Sequence, residues 1–371
     1  MVADHFLPRV GGLELHVADL ARQLAARGQQ VHVISTTPGP AEIEGLCVRR
    51  LCGPLLPLFQ IMYRSPPLAE LRQLMQSERY DVVHCHSSIV SPLSYGATWL
   101  ARELNIPSVL TSHSLLGPHK PLFSLINSLL PLTGWCTRLT AVSGLAAAAL
   151  QRLSGRSDVG VLTNGIEYRR WQVEPVGHSR PRVTSVMRLN IKKRPQDLVA
   201  IVPRLCRQLP AELRPIVTIV GDGPLRRRLE RQAARLGIAA DVEFRGCLSR
   251  EAIRGVLAET DVFVLPTEYE AFGLAALEAR CAGLPVVARS GCGVSDVIEH
   301  GRHGYLAKNR RQMADYIAQL VRDPAARQQM RDAANQGIER FGWDAIIGHT
   351  IQEYRVAIAS VAARQPERIS A

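Results

Sequence analysis

The sequence lacks an apolar run that is long enough to cross a bilayer. Its longest apolar stretches, residues 55–63 and 121–132, are short and interrupted by proline, whereas a spanning helix needs about 20 apolar residues. The N-terminus, MVADHFLPRV, has neither the basic nor the apolar region of a signal peptide. We therefore expect a soluble protein that resides in the cytoplasm, or at the inner face of a membrane.

Lysine is also scarce, because nearly all of the 45 basic residues are arginine. The net charge of +12 would suit a nucleic acid, an anionic membrane or a phosphate-bearing substrate, and a GC-rich genome would produce the same arginine bias without any function. The arginines are spread along the chain, with no basic tail, zinc-finger spacing or ribonucleoprotein signature. We therefore expect no nucleic-acid partner.

Several motifs of well-known enzyme classes are missing. There is no Walker A, GxGxxG or GxSxG motif, and no DxD pair placed to hold a metal ion with a diphosphate. The eight cysteines include no CxxC pair, which is typical of reduced thiols in a cytosolic protein. His84 and His86 share one face of a predicted strand, but no third ligand accompanies them, so no metal site is expected.

What the sequence does contain is a regular alternation of short apolar runs with amphipathic segments. This alternation is typical of βαβ units, and it predicts two doubly wound, Rossmann-like α/β domains. The polar, proline-containing stretch QVEPVGHSRPR, residues 172–182, is the candidate linker between them. Because such sheets bind ligands at the carboxyl ends of their strands, we expect the two edges to face each other across one cleft.

The stretch EYEAFGLAALEARCAG, residues 268–283, concentrates carboxylates where a predicted strand turns into a helix. Gly273 would let a ligand approach the backbone at a helix N-terminus that suits phosphate. Glu270 and Glu278 could accept hydrogen bonds from sugar and ribose hydroxyls. From spacing alone, these acids could equally be solvated residues that the helix dipole favours.

Three further groups of residues are candidates for binding or catalysis. Gly11 and Gly12 precede the first predicted helix like a phosphate cradle, although glycine pairs are also ordinary turns. Arg188 and Lys193 follow the strand predicted at 182–186, and could neutralise a diphosphate or form a solvated basic loop. His113 ends another predicted strand near the expected cleft, where a structural role is the alternative.

Together, these elements resemble the retaining nucleotide-sugar glycosyltransferases of family 4, which have the GT-B fold. The most specific matches are the EX7E motif from Glu270 to Glu278 and the turn GDGP that begins at Gly221. The resemblance covers nearly the whole chain. It implies transfer of a hexosyl group from a UDP- or GDP-linked sugar to an acceptor hydroxyl, with retention of configuration and without a metal ion or other cofactor.

The resemblance also implies roles for individual residues. Glu270 is the acid that engages the donor sugar, and Glu278 is the acid that holds the ribose. Arg188 and Lys193 bind the diphosphate as it leaves, and His113 lies near the reacting sugar carbon. Backbone segments meet the donor at the remaining positions, which are Gly11, Gly12, Phe272, Gly273 and Leu274.

The same resemblance marks departures in this chain. Family members begin with an apolar strand before the segment DHF at 4–6, whereas here only MVA remains. We therefore expect either a start further upstream or a first domain without its central strand. Arg194 follows Lys193 in place of the usual glycine. The expected domains are an acceptor-binding domain at 1–171, completed by a C-terminal helix at 345–371, and a donor-binding domain at 172–344.

The N-terminal half, with HCHSS at 84–88 and TSHSLLG at 111–117, further resembles the catalytic subunit of phosphatidylinositol N-acetylglucosaminyltransferase. This resemblance suggests a glycan, lipid or small-molecule acceptor, such as an inositol phospholipid. The apolar run at 122–132 could dock peripherally on an anionic membrane, or form a buried helix. Two other functions stay open: a nucleotide-sugar epimerase of the same fold, and a non-catalytic nucleotide-sugar binder.

Overall fold

The computed structural model describes residues 1–51, 55–58, 61–64, 67–115, 117 and 120–363. The chain divides into two compact units, Met1–Gly165 with Phe341–Ala371, and Ile166–Arg340. The chain thus changes unit after Gly165 and after Arg340, whereas the sequence predicts these changes after residues 171 and 344. The predicted helix at 345–371 is described as far as residue 363, and its remainder lies outside the described residues.

The first unit is built on a sheet of eight strands. In spatial order they are β10 (Gly160–Val161), β9 (Arg138–Ala141), β8 (Ser108–Ser112), β7 (Val83–Ser87), β1 (Val2–Ala3), β2 (His32–Ser35), β4 (Leu46–Arg50) and β3 (Glu42–Ile43). All neighbours are parallel except β3 and β4. A separate antiparallel pair is formed by β5 (Leu55–Leu58) and β6 (Ile61–Arg64). The helices of this part are α1 (Gly12–Ala25), α2 (Leu68–Glu78), α3 (Pro92–Glu103), α4 (Lys120–Leu129) and α5 (Gly144–Ser154).

The second unit is built on a wholly parallel sheet of six strands. They are β11 (Arg182–Val186), β12 (Ile216–Val220), β13 (Val242–Gly246), β14 (Val262–Leu265), β15 (Val286–Arg289) and β16 (Gly304–Ala307), in the order β13-β12-β11-β14-β15-β16. The helices are α6 (Tyr168–Trp171), α7 (Pro195–Gln208), α8 (Arg226–Arg235), α9 (Arg250–Ala258), α10 (Leu274–Cys281), α11 (Arg310–Arg322) and α12 (Pro324–Ala334). The strand order reverses between β11 and β14, so the loops after these two strands open side by side at the carboxyl edge.

The central place in the first sheet is filled by a strand of only two residues. Val2 pairs with Ile34 of β2 on one side and with Cys85 of β7 on the other, and both Val2 and Ala3 are completely buried. This corrects the expectation of a missing central strand. A strand this short can still bond to both neighbours because successive residues direct their backbone N–H and C=O groups to opposite sides.

The C-terminal helix, α13 (Trp343–Ala362), packs into the first unit. Its residues Trp343, Ile346 and Ile347 form a buried cluster with Leu20 and Leu24 of α1. Complete burial of an apolar side chain of this size contributes roughly 1.5–3 kcal/mol. The helical spacing of these apolar residues therefore stabilises the unit to which the helix returns.

Candidate active site

The predicted site residues lie in both units. The second unit contains Arg188, Lys193, Glu270, Phe272, Gly273, Leu274 and Glu278, and the first contains Gly11, Gly12 and His113. In each unit they lie in or beside loops at the carboxyl ends of parallel strands, or at the start of the helices that follow, except Glu278, which lies further along α10. This is the edge at which doubly wound sheets bind ligands.

The loop after β11 carries the two predicted cations of the second unit. Arg188 is exposed on this loop, and Lys193 ends a short 3₁₀ turn, Ile191–Lys193. The side chain of Asn190 caps that turn, because its Oδ1 accepts a hydrogen bond from the backbone N–H of Lys193 at 3.1 Å. The cap fixes the backbone from which the lysine side chain projects.

The loop after β14 brings Glu270 to this lysine. Lys193 Nζ lies 2.6 Å from Glu270 Oε2, although 77 positions separate the two residues in sequence. The Glu270 side chain is only 14% exposed and the Lys193 side chain 33% exposed. A mostly buried carboxylate at this edge is therefore neutralised by a cation from the neighbouring loop, as the strand order requires.

Gly273 shapes the turn between Glu270 and α10. Its φ of 95° lies in the left-handed region, and a Cβ at this position would lie 2.7 Å from Cγ2 of Val294. Glycine is therefore required here for both backbone and space. The side chain of Phe272 is buried and anchors the loop, while Glu278 lies half-buried on α10. The first N–H groups of α10 have no carbonyl partner within the helix, which makes this end suitable for an anion.

The predicted glycine pair of the first unit lies at the start of α1. Gly11 precedes the helix with extended backbone, φ −171°, that any residue can adopt. A Cβ on Gly12 would meet no atom within 4 Å. The backbone conformation therefore does not require glycine at Gly11, and the surrounding atoms do not require it at Gly12. Two residues further on, Glu14 is buried and its Oε1 lies 3.3 Å from Nε of Arg9.

His113 belongs to a group of buried or partly buried histidines in the first unit. It follows β8, and its Nε2 lies 3.0 Å from Nδ1 of His86 on β7. The ring of His16, on α1, lies 5.5 Å from the ring of His113, and it stacks on Trp343 at 5.9 Å between centroids. Burial lowers the pKa of His86 and of His113 well below the usual value, and it lowers the pKa of His16 to about 4. These imidazoles are neutral at neutral pH.

His84 and His86 do lie together, with ring centroids 4.1 Å apart. Both nitrogens of His84 are taken, however, by Tyr354 Oη at 2.9 Å and by Thr111 Oγ1 at 2.7 Å. Among the described residues, no group of three or more histidine, cysteine, aspartate or glutamate side chains could hold a metal ion. His84 is thus a hydrogen-bonded core residue.

Comparison with known proteins gives this geometry its context. Residues 10–170 match the family described as glycosyltransferase family 4, and residues 171–337 match glycosyl transferases group 1. Glycogen synthase of Mycobacterium tuberculosis is 30% identical to this chain, over 96% of this chain and 94% of that protein. The structure of sucrose-phosphate synthase from Thermosynechococcus elongatus is similar with a TM-score of 0.78 at 22% identity, over 95% of this chain and 94% of that chain.

The chain is a glycosyltransferase of the GT-B fold. The predicted class, two doubly wound α/β domains, is confirmed, as is the transfer of a sugar from a nucleotide-sugar donor to an acceptor. The gpi3 subunit of phosphatidylinositol N-acetylglucosaminyltransferase from Schizosaccharomyces pombe is also similar to this glycosyltransferase. It is 28% identical over 87% of this chain and 72% of its own length.

The loops after β11 and β14 of the glycosyltransferase contain a second ion pair that the sequence did not predict. Arg194 Nη1 lies 2.7 Å from Glu268 Oε2, and Arg194 Nε lies 2.6 Å from Asp197 Oδ2. The three-residue spacing of Arg194 and Asp197 was a usable signal for the local contact. The contact with Glu268 had no such signal, because it depends on which strands are neighbours.

The glycosyltransferase also exposes an apolar surface on α4. Leu122, Leu125, Ile126 and Leu129 follow at helical spacing on α4 and are exposed, Leu125 to 58% and Leu129 to 74%, as is Leu130 directly after the helix. Only Phe123 among the residues of this helix is buried. The alternative of a buried helix is therefore wrong. No helix among the described residues has the length and apolar character needed to cross a bilayer.

Proposed function

We propose that this glycosyltransferase retains the anomeric configuration, works without a metal ion, and transfers a hexosyl group from a UDP- or GDP-linked sugar. The observation that carries the proposal is the contact of Lys193 with Glu270 at the carboxyl edge of the second sheet. Lys193 is a cation suited to phosphate, and Glu270 is a carboxylate suited to sugar hydroxyls. The two residues lie on adjacent loops at this edge. Arg188, on the same loop as Lys193, adds a second positive charge.

Each group has a role that follows from its chemistry. Lys193 and Arg188 bind the diphosphate and stabilise the negative charge that develops as it leaves. The α10 N-terminus behind Gly273 adds backbone N–H donors for the same charge. Because lysine and arginine supply this stabilisation, the reaction needs no divalent ion.

The two acids bind hydroxyl groups in this proposal. Glu270 accepts hydrogen bonds from the donor sugar, and Glu278 accepts them from the ribose diol. The acceptor hydroxyl attacks the anomeric carbon from the face that the diphosphate leaves, and the departing phosphate takes its proton. Attack on that face retains the configuration.

In the first unit, we assign His113 to a hydrogen bond with the reacting sugar, and Gly11 and Gly12 to backbone contact with the donor. His113 suits this role as a neutral imidazole, since its pKa is lowered by burial and its Nε2 is held by His86. The glycines suit theirs because no neighbouring atom explains the lack of a side chain at Gly12.

The acceptor is proposed to be a lipid with an inositol phosphate headgroup, on an anionic membrane. The support is the relative from Schizosaccharomyces pombe, whose name specifies phosphatidylinositol, together with the apolar face of α4. No acidic residue occurs between Glu103 and Asp158, the segment that contains α4. Such a surface, apolar and without negative charge, fits anionic lipid.

The test of the proposed function is nucleotide release. Wild-type protein is incubated in EDTA with UDP-N-acetylglucosamine or GDP-mannose, with and without vesicles that contain phosphatidylinositol. A transferase releases nucleotide only with acceptor, and NMR of the product should show the donor's anomeric configuration. An epimerase would change the sugar without release, a binder would do neither, and a strict metal requirement would contradict the proposal. Glu270→Ala should abolish release while it leaves the fold intact.

The test of the membrane contact is vesicle flotation. Replacing Leu125 and Leu129 with glutamate should reduce flotation with phosphatidylinositol vesicles at least tenfold, because two apolar contacts are lost and two negative charges are gained. Replacing Ser124 and Ser128 of the same helix with glutamate is the matched control and should have a smaller effect. Equal flotation of all three proteins would refute docking by α4.

A further inference from the structure

Arg194 occupies a backbone position that disfavours arginine. Its φ of 53° and ψ of 42° lie in the left-handed region, which is strained for every residue with a Cβ. It joins the 3₁₀ turn that ends at Lys193 to the start of α7. A backbone kept in an unfavourable conformation is held by the contacts that surround it.

Those contacts join two loops of the proposed donor site. The guanidinium donates to Asp197 at the start of α7 and to Glu268 on the loop after β14. Each of these carboxylates also lies near a second cation, with Arg310 Nη1 3.5 Å from Asp197 Oδ1 and Arg289 Nη2 3.9 Å from Glu268 Oε1. Arg194 thus links two carboxylates into one charge network, which also includes cations on α11 and β15.

The network lies directly beside the residues proposed to bind the donor. Arg194 follows Lys193, and Glu268 precedes Glu270 by two positions on the opposite loop. Thr267 Oγ1 also approaches the backbone oxygen of Lys193, at 3.5 Å. We propose that Arg194 is a positioning residue that holds the loop of Glu270 against the loop of Lys193 and so orients Glu270 toward the donor sugar. This inference rests on the proposed function.

A direct role for Arg194 in phosphate binding fits the contacts less well. Two of its three guanidinium nitrogens, Nε and Nη1, donate to carboxylates. The hydrogen bond to Asp197 raises the pKa of Arg194 above the usual value, so it stays charged. Lys193 exchanges its contact with Glu270 for one with the diphosphate when the donor binds. The contact of Arg194 with Glu268 then remains as the link between the loops.

The test is a double-mutant cycle in the full chain with Arg194→Gly and Glu268→Gln. Turnover is measured with UDP-N-acetylglucosamine or GDP-mannose, whichever the wild type uses, on phosphatidylinositol vesicles. Dissociation constants for UDP and GDP are measured by calorimetry, and folding is followed by thermal unfolding. Arg79→Gly is the matched control, because Arg79 also has left-handed backbone, with φ 49°, and lies in the first unit.

We expect Arg194→Gly and Glu268→Gln each to reduce kcat about tenfold, with nucleotide dissociation constants within threefold of wild type. The double variant should be no worse than either single variant, because each substitution already removes the contact between Arg194 and Glu268. Arg194→Lys should recover part of the loss, since it restores the charge without the planar pair of donors. Arg79→Gly should leave turnover unchanged.

Three results would overturn the inference. Wild-type kcat in both single variants would show that the link has no effect on Glu270. A tenfold rise in the nucleotide dissociation constant for Arg194→Gly alone would identify a phosphate ligand instead. Wild-type protein that neither binds nucleotide nor turns over donor would remove the proposed function and this inference together, whereas the first two results leave the proposed function intact.

Discussion

The contact between Lys193 and Glu270 leads to a prediction with two opposite effects. If the lysine binds diphosphate, the donor must compete with Glu270 for it. We therefore expect Glu270→Gln to bind free UDP or GDP more tightly than wild type, although it should lose transfer. An isosteric amide keeps the volume of the side chain but removes the charge that holds Lys193.

The size of the gain follows from the exposure of the pair. The lysine side chain is one-third exposed and the glutamate mostly buried, so solvent screens the 2.6 Å contact in part. Pairs near the surface contribute about 1 kcal/mol or less, and about 1 kcal/mol corresponds to roughly a fivefold change in a dissociation constant. Loss of the carboxylate that we propose binds the sugar should reduce kcat by a factor of about 100 or more.

Calorimetric titration with UDP and GDP measures the first effect, and nucleotide release measures the second. Glu299→Gln is the control, because Glu299 is an exposed acid of the same unit that pairs with Arg302 at 3.0 Å, and its removal changes net charge equally. Equal or weaker nucleotide binding by folded Glu270→Gln would refute the competition. Full transfer activity would refute the role of Glu270.

Two further predictions concern stability. Gly221→Ala should destabilise the second unit by about 3 kcal/mol or more, because φ is 127° and a Cβ would lie 1.9 Å from the carbonyl oxygen of Met187. The control is Gly255→Ala in α9, which should not destabilise the unit because no atom lies within 4 Å of the added Cβ. Equal unfolding midpoints of the two variants would contradict the prediction for Gly221. His16 should make the first unit less stable in acid. Its pKa falls from 6.5 to about 4 on folding, so the unfolded chain binds the extra proton, and stability decreases as pH falls from 6.5 toward 4, by about 2 kcal/mol at pH 5. Denaturant unfolding at pH 7 and 5 should show a smaller difference for His16→Gln than for the exposed-site control His349→Gln, and identical differences would count against it.

The strand predicted at 182–186 coincides with β11, and the predicted alternation of apolar runs with amphipathic segments matches the strands and helices of the second unit. These segments have clear periodicity, because a buried strand or an amphipathic helix repeats its apolar residues at a fixed interval. β1 was not predicted, because two residues are too few to show a repeat of apolar side chains. The exposure of α4 could not be predicted for another reason. Periodicity shows that a helix has an apolar face, but not whether that face packs against the rest of the protein.

Local spacing by itself determined that a glycine-containing turn after Glu270 starts α10 and that Glu278 lies within this helix, because such features depend only on neighbouring residues. Only the tertiary structure decided that Lys193 reaches Glu270, that Arg194 reaches Glu268, and that His16, His86 and His113 form one group. These contacts depend on which strands lie side by side. That order is fixed by burial and hydrogen bonding across the whole sheet, so it is not written in the spacing of any one segment.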